Sequence, residues 1–208
     1  MQAPDLYDWL MKSGERTACD AFDAHVVASI LSLAITEALA DGISPSERIG
    51  LGTERLLDLV DHVFPAARPL FDRLPLAEVA PPDDEACLRD LLYRFSSDAS
   101  AMDAALATMM ARRAQRPNHL WQDLGLRNRR ELSWLMERHF EPLARKNAQD
   151  MKWKKFLYRM ICRDDGYRLC TAPSCSECDD FEVCFGSEDG ESLMARSRRE
   201  MERSAAVL

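Results

Sequence analysis

An all-α fold is what this sequence predicts, and three observations carry that prediction. Apolar residues recur at helical spacing through most of the chain before Cys170; the longest run joins Phe22, Val26, Val27, Ile30, Leu31, Ala34, Ile35 and Leu39. No segment alternates apolar and polar residues with the period of two that a half-buried strand needs. Start and stop residues bracket the helical stretches, with Ser44-Pro45 opening one and Gly42 and Gly125 closing others.

Taken in order, Met1 to Gly14 predicts a short amphipathic helix around Leu6, Trp9 and Leu10. Cys19 to Asp41 is the most apolar segment and the expected central core helix; Ser, Thr and Glu interrupt it too often for a bilayer span. Ser44, Pro45 and Glu47 give a capping serine, a first-turn proline and a glutamate three residues after the cap. The helix they open is expected to carry Leu56, Leu57, Val60 and Phe64 as far as Pro65. Pro65, Pro69, Pro75, Pro81 and Pro82 then break the chain into short turns, read as a covering loop within one domain.

Further helices are expected from Asp83 through Phe95 and from Asp98 to Arg113, where Met102, Met109 and Met110 read as core filling. His119 to Leu124 predicts one turn ended by Gly125, and Asn128 with Glu131 opens the next helix. His139 shares a face there with Leu132, Leu135 and Met136, so it reads as a hydrogen-bonded core residue, while His25 and His62 occupy ordinary helix positions. Trp153, Phe156, Leu157, Met160 and Ile161 form one stripe, and Ser192 to Arg203 a charged terminal helix.

The chain's 208 residues suffice for one substantial core, so a single domain over residues 1–208 is the expectation. The net charge of −8 argues against a general nucleic-acid binder. With no long apolar run and no basic, apolar leader, no membrane role is expected and the cytoplasm is the expected compartment. Phosphate-loop, dinucleotide, zincin and hydrolase motifs are all missing from the sequence.

The chemistry is concentrated in residues 170–184. Cys170, Cys175, Cys178 and Cys184 are spaced C-x4-C-x2-C-x5-C, crowded as thiolates around a metal centre would be. Paired disulfides would suit an oxidising compartment, which nothing else in the sequence suggests. Structural zinc sites pair two knuckles; here a single C-x2-C knuckle has lone cysteines on both sides, which better suits an iron–sulfur-type cluster.

Two families invite comparison. Endonuclease-III-like DNA glycosylases are helical, of similar length, and carry a cluster loop ending C-x2-C-x5-C. Their first gap is longer, and the Gly-rich helix-hairpin-helix segment has no counterpart here. The chain more closely resembles the NifQ family of nitrogen-fixation proteins. The likeness covers the whole four-cysteine loop, the stretch from His119 to Leu126, the helix start from Asn128 to Glu131, and Trp153 through Cys162.

What this resemblance implies is a carrier and not an enzyme: a protein that binds a molybdenum–iron–sulfur cluster on Cys170, Cys175, Cys178 and Cys184. It would take molybdenum from molybdate or another source and donate it for nitrogenase iron–molybdenum cofactor assembly. The expected recipients are the cofactor-assembly scaffold and the nitrogenase iron protein. An iron–sulfur DNA-repair glycosylase is the alternative. His119, at a loop-to-helix transition within the resembling stretch, is a candidate ligand or molybdate contact. Cys162 is either an incidental thiol, the preferred reading, or a spare ligand.

Residues 151–170 hold six Lys or Arg against two Asp, while 171–191 hold seven Asp or Glu and no cation. The plain reading is a solvated basic helix beside an exposed acidic loop. The functional one has Lys152, Lys154, Lys155, Arg159, Arg163 and Arg168 attract molybdate and offset an anionic cluster.

Overall fold

The computed structural model describes residues 2–13, 19–164 and 187–205, with only the backbone of 162–164. The described residues form helices and connecting turns, without a strand. In order these are α1 (Ala3–Ser13), α2 (Ala21–Asp41), α3 (Pro45–Ile49), α4 (Thr53–Val63), a 3-10 turn (Pro65–Ala67), and α5 (Arg68–Phe71). Then come α6 (Asp83–Arg94), α7 (Ala101–Ala114), α8 (Leu120–Asp123), α9 (Arg129–His139), α10 (Glu141–Ala144), α11 (Trp153–Asp164) and α12 (Leu193–Ala205).

α2 is the hub, because most of its side chains are apolar or small and nearly all of them are enclosed. Val26, Val27, Ile30, Leu31 and Ala34 are fully buried, and each large one contributes about 1.5–3 kcal/mol by leaving water. The helix is long and apolar enough to cross a membrane, but 78% of its most apolar stretch lies inside the protein. Asp20 caps its start by accepting from the Phe22 and Asp23 amides, and left-handed Gly42 ends it by donating to the Ala38 carbonyl. α1 and α3 pack on α2, α6 packs between α7 and α11, and α12 lies on α1. One apolar cluster runs through all of these except α12, from Leu6 to Leu157.

Two expected boundaries are corrected. The helix opened at Ser44 does not reach Phe64: α3 stops at Ile49, and α4 starts afresh at Thr53. Gly50 adopts φ +87°, and a Cβ there would come within 2.8 Å of the Arg112 Cβ. The chain therefore turns where α7 crosses it, and only glycine fits both demands. The second correction is that α7 begins at Ala101 and not at Asp98, since Ala99 has φ +50° and Ser100 supplies the cap. Ser100 Oγ accepts from the Asp103 amide at 3.0 Å, and the Asp103 carboxylate accepts from the Ser100 amide at 3.3 Å.

Met109 and Met110 are fully buried and Met102 half-buried, as core filling requires. His139 is buried with Nδ1 2.8 Å from Asp103 and Nε2 3.0 Å from Asp23, so it sutures α9 to α7 and α2. Burial alone would lower its pKa; the two carboxylates outweigh that and raise it above the usual histidine value.

Candidate functional site

Cys170, Cys175, Cys178 and Cys184 lie outside the described residues, and so does the side chain of Cys162, whose backbone belongs to α11. Among the described residues no group of three or more His, Cys, Asp or Glu is placed to hold a metal ion. The structure does describe what flanks residues 165–186: the incoming limb, α11, and the outgoing limb, residues 187–192.

The incoming limb docks by its stripe. Trp153, Phe156 and Leu157 are buried, with the two aromatic rings edge-to-face at 5.9 Å. Met160 and Ile161 pack half-buried beside them. On the flank of the stripe, Lys154 Nζ lies 2.6 Å from Asp123 Oδ2 and donates to the Arg116 carbonyl at 2.5 Å. Burial lowers the Lys154 pKa, partly offset by Asp123.

Asp123 is a junction. Asn118 donates to its other carboxylate oxygen at 2.9 Å, and Arg113 Nε donates to its carbonyl at 2.6 Å. Arg113, fully buried, also forks onto Glu37 of α2 at 2.7 and 3.0 Å. A chain of buried charge thus runs from α2 through α7 and α8 to α11. Lys154 is consequently not available to attract an anion: its ammonium points into the body and is occupied there. Lys155, by contrast, is exposed.

The outgoing limb is held by the same short helix. Trp121 Nε1 donates to the Glu188 carbonyl at 3.2 Å, and Gln122 Nε2 donates to the Glu191 carbonyl at 2.9 Å. The buried Glu188 carboxylate sits between His119 Nδ1 at 3.3 Å and Arg129 Nε at 2.5 Å. Burial raises its pKa against the pull of Arg129, His119 and Lys152. Arg129 also reaches Asp150 at 2.9 Å and the Met151 carbonyl at 3.2 Å, so it binds the root of the incoming limb as well.

His119 to Gly125 therefore clamps both limbs. The segment's position follows from Gly125, where φ is +73° and a Cβ would stand 2.8 Å from the Ser29 carbonyl oxygen. Only glycine lets this turn press against α2. His119, one third exposed, caps α8 and faces Glu188 four residues beyond Cys184. In the sequence His119 alone of the clamp stands out as a candidate site residue; Trp121, Gln122, Asp123 and Arg129 lie within the resembling stretches without a role of their own, and Glu188 lies outside them. Three polar-capable residues in a row within one four-residue helix were the available signal, since a solvated turn has no need of them together.

The chain is similar in sequence to known proteins. A family model described as NifQ matches residues 26–186, which include the clamp, α11 and all four clustered cysteines. The chain is 44% identical over 174 residues to the "Protein NifQ homolog" of Sinorhizobium fredii, covering 82% of this chain and 75% of that one. It is 38% identical over 167 residues to the "Protein NifQ" of Rhodobacter capsulatus, covering 79% and 91% respectively. A third match, to the "Protein NifQ" of Azotobacter vinelandii, is 41% identical over 83 residues, 40% of this chain and 43% of that one. No solved structure matches significantly.

Proposed function

The chain belongs to the NifQ family, and on that premise we propose that it is a metal carrier of nitrogen fixation. It takes molybdenum from molybdate, holds it in a molybdenum–iron–sulfur cluster on Cys170, Cys175, Cys178 and Cys184, and donates it for assembly of the nitrogenase iron–molybdenum cofactor. Its recipients are the cofactor-assembly scaffold and the nitrogenase iron protein. It acts as a single domain in the cytoplasm, as a carrier and not a catalyst, with no nucleic-acid or membrane partner.

The observation that carries this reading is the C-x4-C-x2-C-x5-C spacing, which falls whole within the residues matched by the family model. Soft thiolates suit iron and sulfur, and the uneven spacing offers a ligand to several metal atoms from different directions. The two-limbed clamp supports the same reading, because it fastens the described residues before and after the cysteine run to one short helix. His119 contributes at the edge of this site, orienting the outgoing limb through Glu188 and serving as an accessory contact to the cargo. Cys162, on the incoming helix, is a spare thiol and no obligate ligand.

Metal analysis of the anaerobically purified protein tests the proposal. Iron together with molybdenum, transferable to apo-nitrogenase in the presence of the assembly scaffold, is the expected result. Zinc alone, or iron that never acquires molybdenum, would contradict it.

A further inference from the structure

Helix α9 turns to solvent a face whose central charges the described part of the chain does not use. Arg130, Trp134 and Glu137 recur at i, i+4 and i+7 and are all exposed, whereas Leu132, Leu135, Met136 and His139 are buried. Trp134 is 44% exposed even with Phe22 of α2 edge-to-face against it at 6.2 Å. The Arg130 guanidinium lies over the same indole, 5.2 Å from its centre. Among the described residues Arg130 pairs with no carboxylate and Glu137 with no cation. The other charges of this face are occupied: Arg138 turns to Asp20 and Asp23 at 3.1 Å, and Arg127 and Glu141 pair with Glu131 and Arg145.

Helix stability does not explain this charge order. Arg130 and Glu137 stand seven residues apart, about 10 Å along the axis, too far to pair with each other. Arg130 lies in the first turn and Glu137 in the last, where the helix dipole favours the opposite signs. The arrangement is self-complementary, however, and we propose that this face binds a second copy of this chain, α9 against α9 and antiparallel. A two-fold axis passing between Ser133 and Trp134 sets Arg130 of each copy opposite Glu137 of the other and brings the two indoles together at the centre.

A parallel pairing would set like charge against like, so charge fixes the orientation. An aromatic centre that loses water, ringed by charged pairs that set the register, is how interface hot spots are built. The indole already holds Arg130, so little side-chain freedom remains to be lost on docking. One helix face buries less than about 1,200 Å² in all, the size of a transient complex. A dissociation constant of about 1–100 μM is therefore expected. The association needs none of the four cysteines, so it stands or falls apart from the proposed function.

Sedimentation of the full-length protein tests the proposal, with reductant to keep its seven cysteines from cross-linking and about 0.15 M salt to screen copies of net charge −8 from one another. The wild type should pass from monomer to dimer as concentration rises through the micromolar range. Trp134→Ala, Arg130→Glu and Glu137→Arg should each weaken the dimer about tenfold or more while retaining helical circular dichroism. The double variant Arg130→Glu/Glu137→Arg exchanges the two charges and should recover the dimer, since each copy is again complementary to the other. An equimolar mixture of the two single charge variants should form a heterodimer for the same reason. A wild type that stays monomeric throughout, leaving the face to some other partner, would overturn the proposal. So would a dimer indifferent to Trp134→Ala, or a double variant as weak as the single ones.

Discussion

The incoming limb of the cysteine loop reaches the body through three buried side chains, Trp153, Phe156 and Leu157, and through the buried Lys154–Asp123 pair. The outgoing limb has no such stripe: it is held by two hydrogen bonds to its backbone carbonyls and by one carboxylate, Glu188, between His119 and Arg129. Apolar burial resists separation over the whole contact, whereas neutral hydrogen bonds contribute only about 1 kcal/mol each against water. The incoming limb is thus held by apolar burial together with a buried ion pair, and the outgoing limb by a buried ion pair and hydrogen bonds without apolar burial; Cys184 precedes the outgoing limb in sequence.

The largest test of the contrast removes the charge under the incoming limb. Asp123→Ala strands Lys154, buried beside it, and should destabilise the protein by about 3–5 kcal/mol. At roughly 2–4 °C per kcal/mol for a chain of this size, the melting temperature should fall by about 10 °C. A fall no larger than that of an exposed carboxylate would mean the incoming limb is held by its stripe alone.

The body supplies a reference that titrates independently of either limb. The folded pKa of His139 is raised, so its contribution is fully present below about pH 6.5 and is lost as pH rises through the raised folded value. Denaturant unfolding across this range should show stability declining on the alkaline side. His139→Gln should flatten that slope; an unchanged slope would place the titration elsewhere.

On the outgoing limb the effects are smaller. Trp121→Phe removes one neutral hydrogen bond and should cost about 1 kcal/mol. Hydrogen exchange should speed up in residues 187–192 while α11 stays protected. Equal acceleration in both limbs would erase the distinction between them. Smallest of all is the effect of metal removal on the body. With the apolar cluster drawn almost entirely from residues 6–157, chelation should leave helical content and the protection of residues 5–164 unchanged. Global loss of protection would make the cluster a folding element.

Helix identity was legible in the sequence because it depends on local spacing and caps. The α8 turn, the Asn128 start of α9 and the burial of His139 all followed from neighbours a few residues apart. Gly50 was harder: its role depends on Arg112, 62 residues away, and no periodicity reports a crossing helix. The same holds for the clamp. Asp123 meets Lys154 at a separation of 31 residues, and Trp121 meets the Glu188 carbonyl at 67. Lys154 looked like one more cation on a basic flank, because the partner that decides its role is remote. The four cysteines, by contrast, are singled out by local spacing alone, and they lie outside the described residues.

Iron and molybdenum analysis of Cys175→Ala and Cys184→Ala, each reconstituted anaerobically beside the wild type, tests the proposed four-cysteine site most directly. Cys170, Cys175 and Cys178 form the tight run expected to grip iron, while Cys184 stands apart from it, next in sequence to the limb without an apolar stripe. The expected result is that Cys184→Ala keeps most of its iron and loses molybdenum, whereas Cys175→Ala loses both. Equal iron loss in the two variants would contradict the asymmetry, and full retention of both metals in either variant would contradict the four-cysteine site itself.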